Sequence, residues 1–206
     1  MSLDPTRTTA LFGGTFDPVH YGHTQLVCEL RTRGIIDQAI FMPAGIPPHK
    51  QGRKISSGEH RLRMLDLALA EMPFATVSDY ELVRAGVSYT ILTARHYAET
   101  YGANLRLLIG ADSLCELHTW RQARELVAEF AFVVYRRPGY ILPSAAELHT
   151  RFGPAGPQLL ETVVDAPEFA ISSTNLRHTL KEEKDCDALL SPAVLRYIHA
   201  HRLYTG

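Results

Sequence analysis

Short apolar runs of strand length alternate along this chain with stretches of helical spacing, and that alternation leaves few architectures open. Thr8 to Phe12 is a β-prone run closed by the pair Gly13-Gly14. From about His23 to Arg33, Leu26, Val27 and Leu30 recur with the period of a helix, and Gly34 stands where a C-cap glycine is expected. Ala39 to Met42 reads as a second strand, stopped by Pro43. Strands are likewise expected over Ala75–Val77, Leu105–Ile109, Ala131–Tyr135 and Glu161–Val164. The spacing predicts helices over Glu59–Glu71, Tyr89–Tyr101 (with Ser88 as N-cap), Trp120–Glu129, Ser173–Leu180 and Pro192–His201. This order predicts an α/β fold with an open, mostly parallel sheet and helices on both faces, in a single domain over residues 1–206. No repeat or low-complexity tract interrupts it. Ala44 to Gly58 is a long loop rich in glycine and proline, and residues 138–160 carry the weakest pattern.

A chain of 206 residues with 46% hydrophobic and 21% charged residues can bury a substantial core. Its formal charge of -1 offers no excess that would draw it to nucleic acid or to an anionic membrane, so any phosphate recognition must be local. No apolar run approaches the roughly 20 residues of a membrane span. The opening residues Met1 to Arg7 lack the apolar stretch of a signal peptide, and a cytoplasmic protein is expected. Cys28, Cys115 and Cys186 are widely spaced and form no Cys-x-x-Cys pair, which suggests neither a disulfide framework nor a zinc site.

The turn Gly13-Gly14-Thr15-Phe16 joins the first strand to its helix, the position where parallel α/β sheets gather ligands. Glycines there can expose consecutive N–H groups, and the helix N-terminus adds a partial positive charge that favours an anion. Neither the P-loop pattern nor the dinucleotide Gly-x-Gly-x-x-Gly is present. Instead His20 and His23 stand three residues apart at the helix start, so both imidazoles can face phosphates held by the turn and donate hydrogen bonds to them. A metal-binding pair is the weaker reading, because no His-Glu-x-x-His pattern or cysteine set accompanies them. Ser172, Ser173 and Thr174, with Arg177 one turn on, form a second possible anion site; alone they would read as an ordinary helix cap beside a solvated arginine.

Gly14-Thr15-Phe16-Asp17-Pro18-Val19-His20-Tyr21-Gly22-His23 resembles the Gly-x-Phe-x-Pro-x-His-x-x-His signature of the nucleotidyltransferase superfamily. Ile171 to Arg177 resembles that superfamily's Ile-Ser-Ser-Thr-x-x-Arg segment. Over most of its length the chain is similar to the bacterial nicotinate-nucleotide adenylyltransferases, on Met42 to Lys50, Ser88-Tyr89-Thr90, Gly110 to Leu114 with Trp120, and Tyr135 to Gly139. The resemblance implies a Rossmann-like fold and transfer of AMP from ATP to nicotinate mononucleotide, giving deamido-NAD and pyrophosphate. It implies Mg²⁺ carried on the ATP phosphates, no metal held by the protein alone, no nucleic-acid or membrane partner, and room for a homo-oligomer. It assigns catalysis to His20, His23 and Arg177, ATP binding to Gly13, Gly14, Thr15, Phe16, Ser172, Ser173 and Thr174, and acceptor binding to His49, Lys50, Tyr89, Thr90, Asp112 and Trp120. Trp120 would stack on the pyridine ring, Tyr89 and Thr90 would offer a backbone N–H to its carboxylate, and Asp112 would take a ribose hydroxyl. The family often carries an aromatic or polar residue where this chain has Arg121. Nicotinamide mononucleotide or phosphopantetheine as the acceptor, and a catalytically silent nucleotide-binding module, are the competing readings.

Overall fold

In the computed structural model, residues 3–45, 55–84, 86–136, 139–165 and 171–205 are described. Strands β1 (Thr9–Gly14), β2 (Gln38–Pro43), β3 (Ala75–Val77), β4 (Leu105–Gly110), β5 (Ala131–Tyr135) and β6 (Val163–Val164) form one sheet in the order β3-β2-β1-β4-β5-β6. Every pairing among them is parallel. Apolar side chains on both faces of such strands must be covered, and all six residues of β2 are buried. Alternate residues of the strands enter two separate cores. Ala10, Phe12, Ala39 and Phe41 pack with α1 (Tyr21–Thr32), α2 (Gly58–Leu69), α8 (Ser173–Lys181) and α9 (Pro192–Ala200). Leu11, Ile40, Leu107 and Phe132 pack on the other face with α4 (Thr90–Tyr101), α5 (Ala111–Glu116), α6 (Ala123–Glu129) and α7 (Ala145–Phe152). This is the Rossmann-like open sheet that the alternation predicts. None of the described helices is long and apolar enough to cross a membrane.

Most element assignments agree with the sequence reading, and the departures have identifiable causes. β1 extends through Gly13 and Gly14, which pair with Met42 and Pro43, so the glycines end the strand rather than form the turn. The N-cap of α4 is Tyr89; the Ser88 hydroxyl accepts the Gly45 N–H at 3.1 Å instead. Trp120 lies outside any α-helix, after the 3-10 turn Leu117–Thr119, because α6 begins only beyond Gln122, whose φ of 52° breaks the run. Glu161 and Thr162 belong to the 3-10 segment Pro157–Thr162, which leaves β6 two residues long. Within the weakly patterned 138–160 stretch stands α7, held by a capping box between Ser144 and Glu147. The four-residue helix α3 (Tyr80–Val83) also escaped the periodicity argument, being barely one turn long.

β1 and β4 are neighbours whose connections leave toward opposite edges of the sheet. Such a reversal opens a crevice beyond the carboxyl ends of the two strands, where ligands of open α/β sheets bind.

Candidate active site

A cavity of about 510 Å³ occupies this crevice. Its floor is the end of β1 and the turn that follows. Gly14 is required by a close approach: a Cβ there would lie 2.9 Å from the Phe16 ring. Gly13 has no such demand, since a Cβ added to it would meet no atom within 4 Å, and it borders open cavity. The positive φ in this turn falls on Phe16, at 49°, and neither Gly13 nor Gly14 shows one. That backbone angle turns the Phe16 side chain down into the core, where it meets Phe12 edge-on at 5.4 Å and is only 2% exposed. Phe16 also packs edge-on against the ring of His23 at 5.0 Å. Its aromatic ring therefore steadies the histidine as well as lining the cavity with Thr15.

His20 is the N-cap of α1 and His23 sits on the first turn. Their rings lie 3.8 Å apart between centroids and both line the cavity. The His20 backbone N–H donates to Nδ1 of His23 at 3.2 Å. An imidazole that accepts through Nδ1 carries its proton on Nε2 in the neutral ring. No acidic residue occupies the first turn of α1.

The turn is braced from beneath by residues the sequence argument passed over. Asp17 is 2% exposed, is joined to Pro18 by a cis peptide, and accepts a hydrogen bond from the Tyr204 hydroxyl at 2.7 Å. Its second carboxylate oxygen accepts the Ser56 N–H at 3.4 Å. Arg61, 3% exposed, donates to the carbonyls of Thr15 at 3.0 Å, Ala44 at 2.8 Å and Ser56 at 3.1 Å. One guanidinium thus fastens the turn, the end of β2 and the approach to α2. Burial lowers the Arg61 pKa from its ordinary range, and the nearby Asp17 charge opposes that fall. Burial, and next the charge of Asp17, push the Tyr204 phenol far above its ordinary range, so its proton stays in place as a donor. A signal for Arg61 existed: it stands three and four residues before Met64 and Leu65, on the buried stripe of α2.

The second predicted anion site comes to the same cavity, 155 residues along the chain. Ser173 Oγ donates to the Pro18 carbonyl at 3.0 Å, and Arg177 donates to the Asp17 carbonyl at 2.7 Å. Arg177 also donates to Thr174 Oγ1 at 3.3 Å. Ser172 caps α8, its hydroxyl accepting the Asn175 N–H. The start of α8 therefore meets the start of α1, and no acidic residue stands in the first turn of either helix.

Across the cavity lie the groups assigned to the acceptor. Tyr89 and Thr90, at the start of α4, line it together with half-buried Trp120. Asp112 lines it from α5, its carboxylate folded back over Gly110 so closely that a Cβ on that glycine would come within 2.3 Å of Oδ1. His49 and Lys50 lie outside the described residues. Arg121 joins the lining with its guanidinium carbon 4.7 Å from the centroid of the Tyr89 ring. Among the described residues no group of three or more His, Cys, Asp or Glu side chains could hold a metal ion.

The chain is similar to known proteins over most of its length. Residues 11–179 match the family described as cytidylyltransferase-like. A protein of Roseiflexus sp. (strain RS-1) named "probable nicotinate-nucleotide adenylyltransferase" is 39% identical over 196 residues, covering 94% of this chain and 96% of that protein. One of the same name from Pectobacterium atrosepticum is 38% identical, covering 95% and 98%. Among solved structures, the Plasmodium falciparum nicotinic acid mononucleotide adenylyltransferase complexed with NaAD superposes with a TM-score of 0.75 at 18% identity, over 95% of this chain and 96% of that one.

Proposed function

Because the chain belongs to the nicotinate-nucleotide adenylyltransferases, within the cytidylyltransferase-like family, we propose that its cavity joins ATP to nicotinate mononucleotide, forming deamido-NAD and releasing pyrophosphate. The observation that supports this most directly is the convergence on one cavity of two anion sites, the His20/His23 start of α1 and the Ser172–Arg177 start of α8, with Trp120, Tyr89 and Asp112 opposite.

A phosphate oxygen of the acceptor attacks the α-phosphorus of ATP in line, and the bond to the bridging oxygen of pyrophosphate breaks. The acceptor oxygen is already anionic, so the reaction needs no protein nucleophile and no general base. The protein has to position two anions and stabilise charge that builds on the leaving pyrophosphate. His23 donates through Nε2, with its ring set by the His20 N–H and by Phe16. His20 shares that face, and Arg177 lies beside the turn to receive the β and γ phosphates. Gly13 leaves the floor open for the nucleotide. On the acceptor side Trp120 supplies a stacking face, Asp112 takes a ribose hydroxyl, and Tyr89 and Thr90 present α4 backbone. A divalent cation, Mg²⁺ in our reading, would come with the triphosphate and would supply partial neutralisation of its charge.

His23→Ala is expected to lower kcat roughly 10²- to 10³-fold, the usual cost of losing one donor to a developing oxyanion. Pyrophosphate release by the folded variant, with ATP and nicotinate mononucleotide saturating, measures it. Near-normal turnover would remove His23 from the mechanism. Assays with nicotinamide mononucleotide and phosphopantetheine in parallel test the acceptor, and ATP binding without pyrophosphate release for any of them would favour the silent module.

A further inference from the structure

Two walls of the cavity have to keep a fixed separation if a phosphate oxygen on one side is to reach the α-phosphorus on the other, because reacting atoms must come within about 3–3.5 Å in line. The sheet supplies part of that rigidity, and its last rung at this edge is the Ala44 N–H donating to the Gly14 carbonyl at 2.8 Å. Beyond it Arg61, 3% exposed, continues the connection from behind the cavity. Its Nη1 donates to the Thr15 carbonyl at 3.0 Å and to the Ala44 carbonyl at 2.8 Å. The two N–H bonds of one planar nitrogen therefore fix a residue of the nucleotide turn against a residue that follows β2. Nε holds the Ser56 carbonyl, just before α2, at 3.1 Å. The connection runs on through Gly45, whose N–H donates to the Ser88 hydroxyl at 3.1 Å. A Cβ on Gly45 would lie 2.2 Å from the Glu81 carbonyl, so the backbone packs there without room for a side chain. Ser88 precedes Tyr89 and Thr90, and Thr15, Ala44 and these three residues all line the cavity.

We propose that Arg61 is a positioning residue for the transfer reaction: through Ala44, Gly45 and Ser88 it sets the distance between the nucleotide turn and the wall that receives the acceptor. This rests on the reading above, in which ATP lies on the turn and the acceptor lies against α4. Arg61 touches neither substrate and moves no proton. Without it the two walls shift relative to each other, each substrate keeps its own contacts, and the path of attack lengthens. A misplacement near 1 Å costs about 10²-fold in rate, so the effect falls on kcat and not on the KM of either substrate. Lysine is no substitute, since an ammonium presents no plane and cannot hold two carbonyls at a set angle.

The test measures kcat and both KM values in the full chain with ATP and nicotinate mononucleotide. Arg61→Lys, which keeps the charge, is expected to lower kcat about 10- to 100-fold while each KM changes by less than about threefold. Ser88→Ala cuts the same connection further along and is expected to lower kcat severalfold with the same constancy of KM. Because both changes break one linkage, the double variant loses little more than Arg61→Lys alone. Ser144→Ala, at the N-cap of α7 and outside the cavity lining, supplies the comparison for lost stability: its melting temperature falls and its kcat does not. If Arg61→Lys does not fold, Ser88→Ala decides the matter. An unaltered kcat, a loss carried by the KM of one substrate, losses that multiply in the double variant, or an equal fall of kcat in Ser144→Ala would overturn the role of Arg61 and leave the acceptor reading intact. An unsubstituted enzyme that forms no deamido-NAD would overturn the acceptor reading itself.

Discussion

At Gly13 an added methyl would meet no protein atom, whereas at Gly14 it would press on the Phe16 ring. Gly13→Ala is therefore expected to keep or raise stability, by up to about 1 kcal/mol through the unfolded chain, while raising the KM for ATP severalfold. Gly14→Ala is expected to cost roughly 1–3 kcal/mol in stability. Thermal melts set beside steady-state kinetics separate the two. Tyr204→Phe deletes a 2.7 Å bond to the buried Asp17 carboxylate and should cost roughly 1–3 kcal/mol in urea unfolding at neutral pH. Its phenol has a higher pKa folded than unfolded, so its stabilising contribution is complete below pH about 10. Above that the unfolded chain releases this proton first and stability falls, a fall that Tyr204→Phe would show less. The two histidines were legible in the sequence as neighbours at a helix start, and the structure brings both to the cavity. Tyr204 was not, since a lone tyrosine says nothing of its partner until the fold brings residue 17 to residue 204, and the place of Arg61 on a buried stripe told of its burial but not of the carbonyls it holds.

Helices α1, α4 and α8 bring their first residues to the cavity while their apolar faces cover the cores. α7 only closes a core: Ser144→Ala breaks its capping box and should cost about 1 kcal/mol in a thermal or urea melt without altering kcat. Its signature, a serine three residues before a glutamate, was present in the sequence but surrounded by proline and glycine that masked it. Strands were the more legible elements, because buried parallel strands are short apolar runs with sharp ends, and Ala75–Val77 and Ala131–Tyr135 match the expected bounds residue for residue. Helix starts were harder to place. Trp120 looked helical from composition, and only the positive φ at Gln122 explains why it stands free of α6 to face the cavity.

On the scale of the whole molecule, the open sheet was predictable from alternation alone, whereas the strand order that creates the crevice was not: periodicity marks strands without saying which are neighbours. Arg61 is the clearest product of that long-range assembly, joining the carbonyls of Thr15, Ala44 and Ser56. Arg61→Met keeps much of the side-chain volume but leaves three carbonyls without their donor, and a loss of at least roughly 1–3 kcal/mol in chemical denaturation is expected. If the cation arrives on the ATP phosphates, chelation of divalent cations should abolish turnover and leave the melting temperature of the ligand-free protein unaltered. The bond between Asp17 and Tyr204 spans 187 residues. On a translating ribosome, at about 5–20 residues per second, the first of these residues precedes the second by roughly 10 to 40 seconds. During that interval the nascent chain holds both histidines while the brace beneath them is missing.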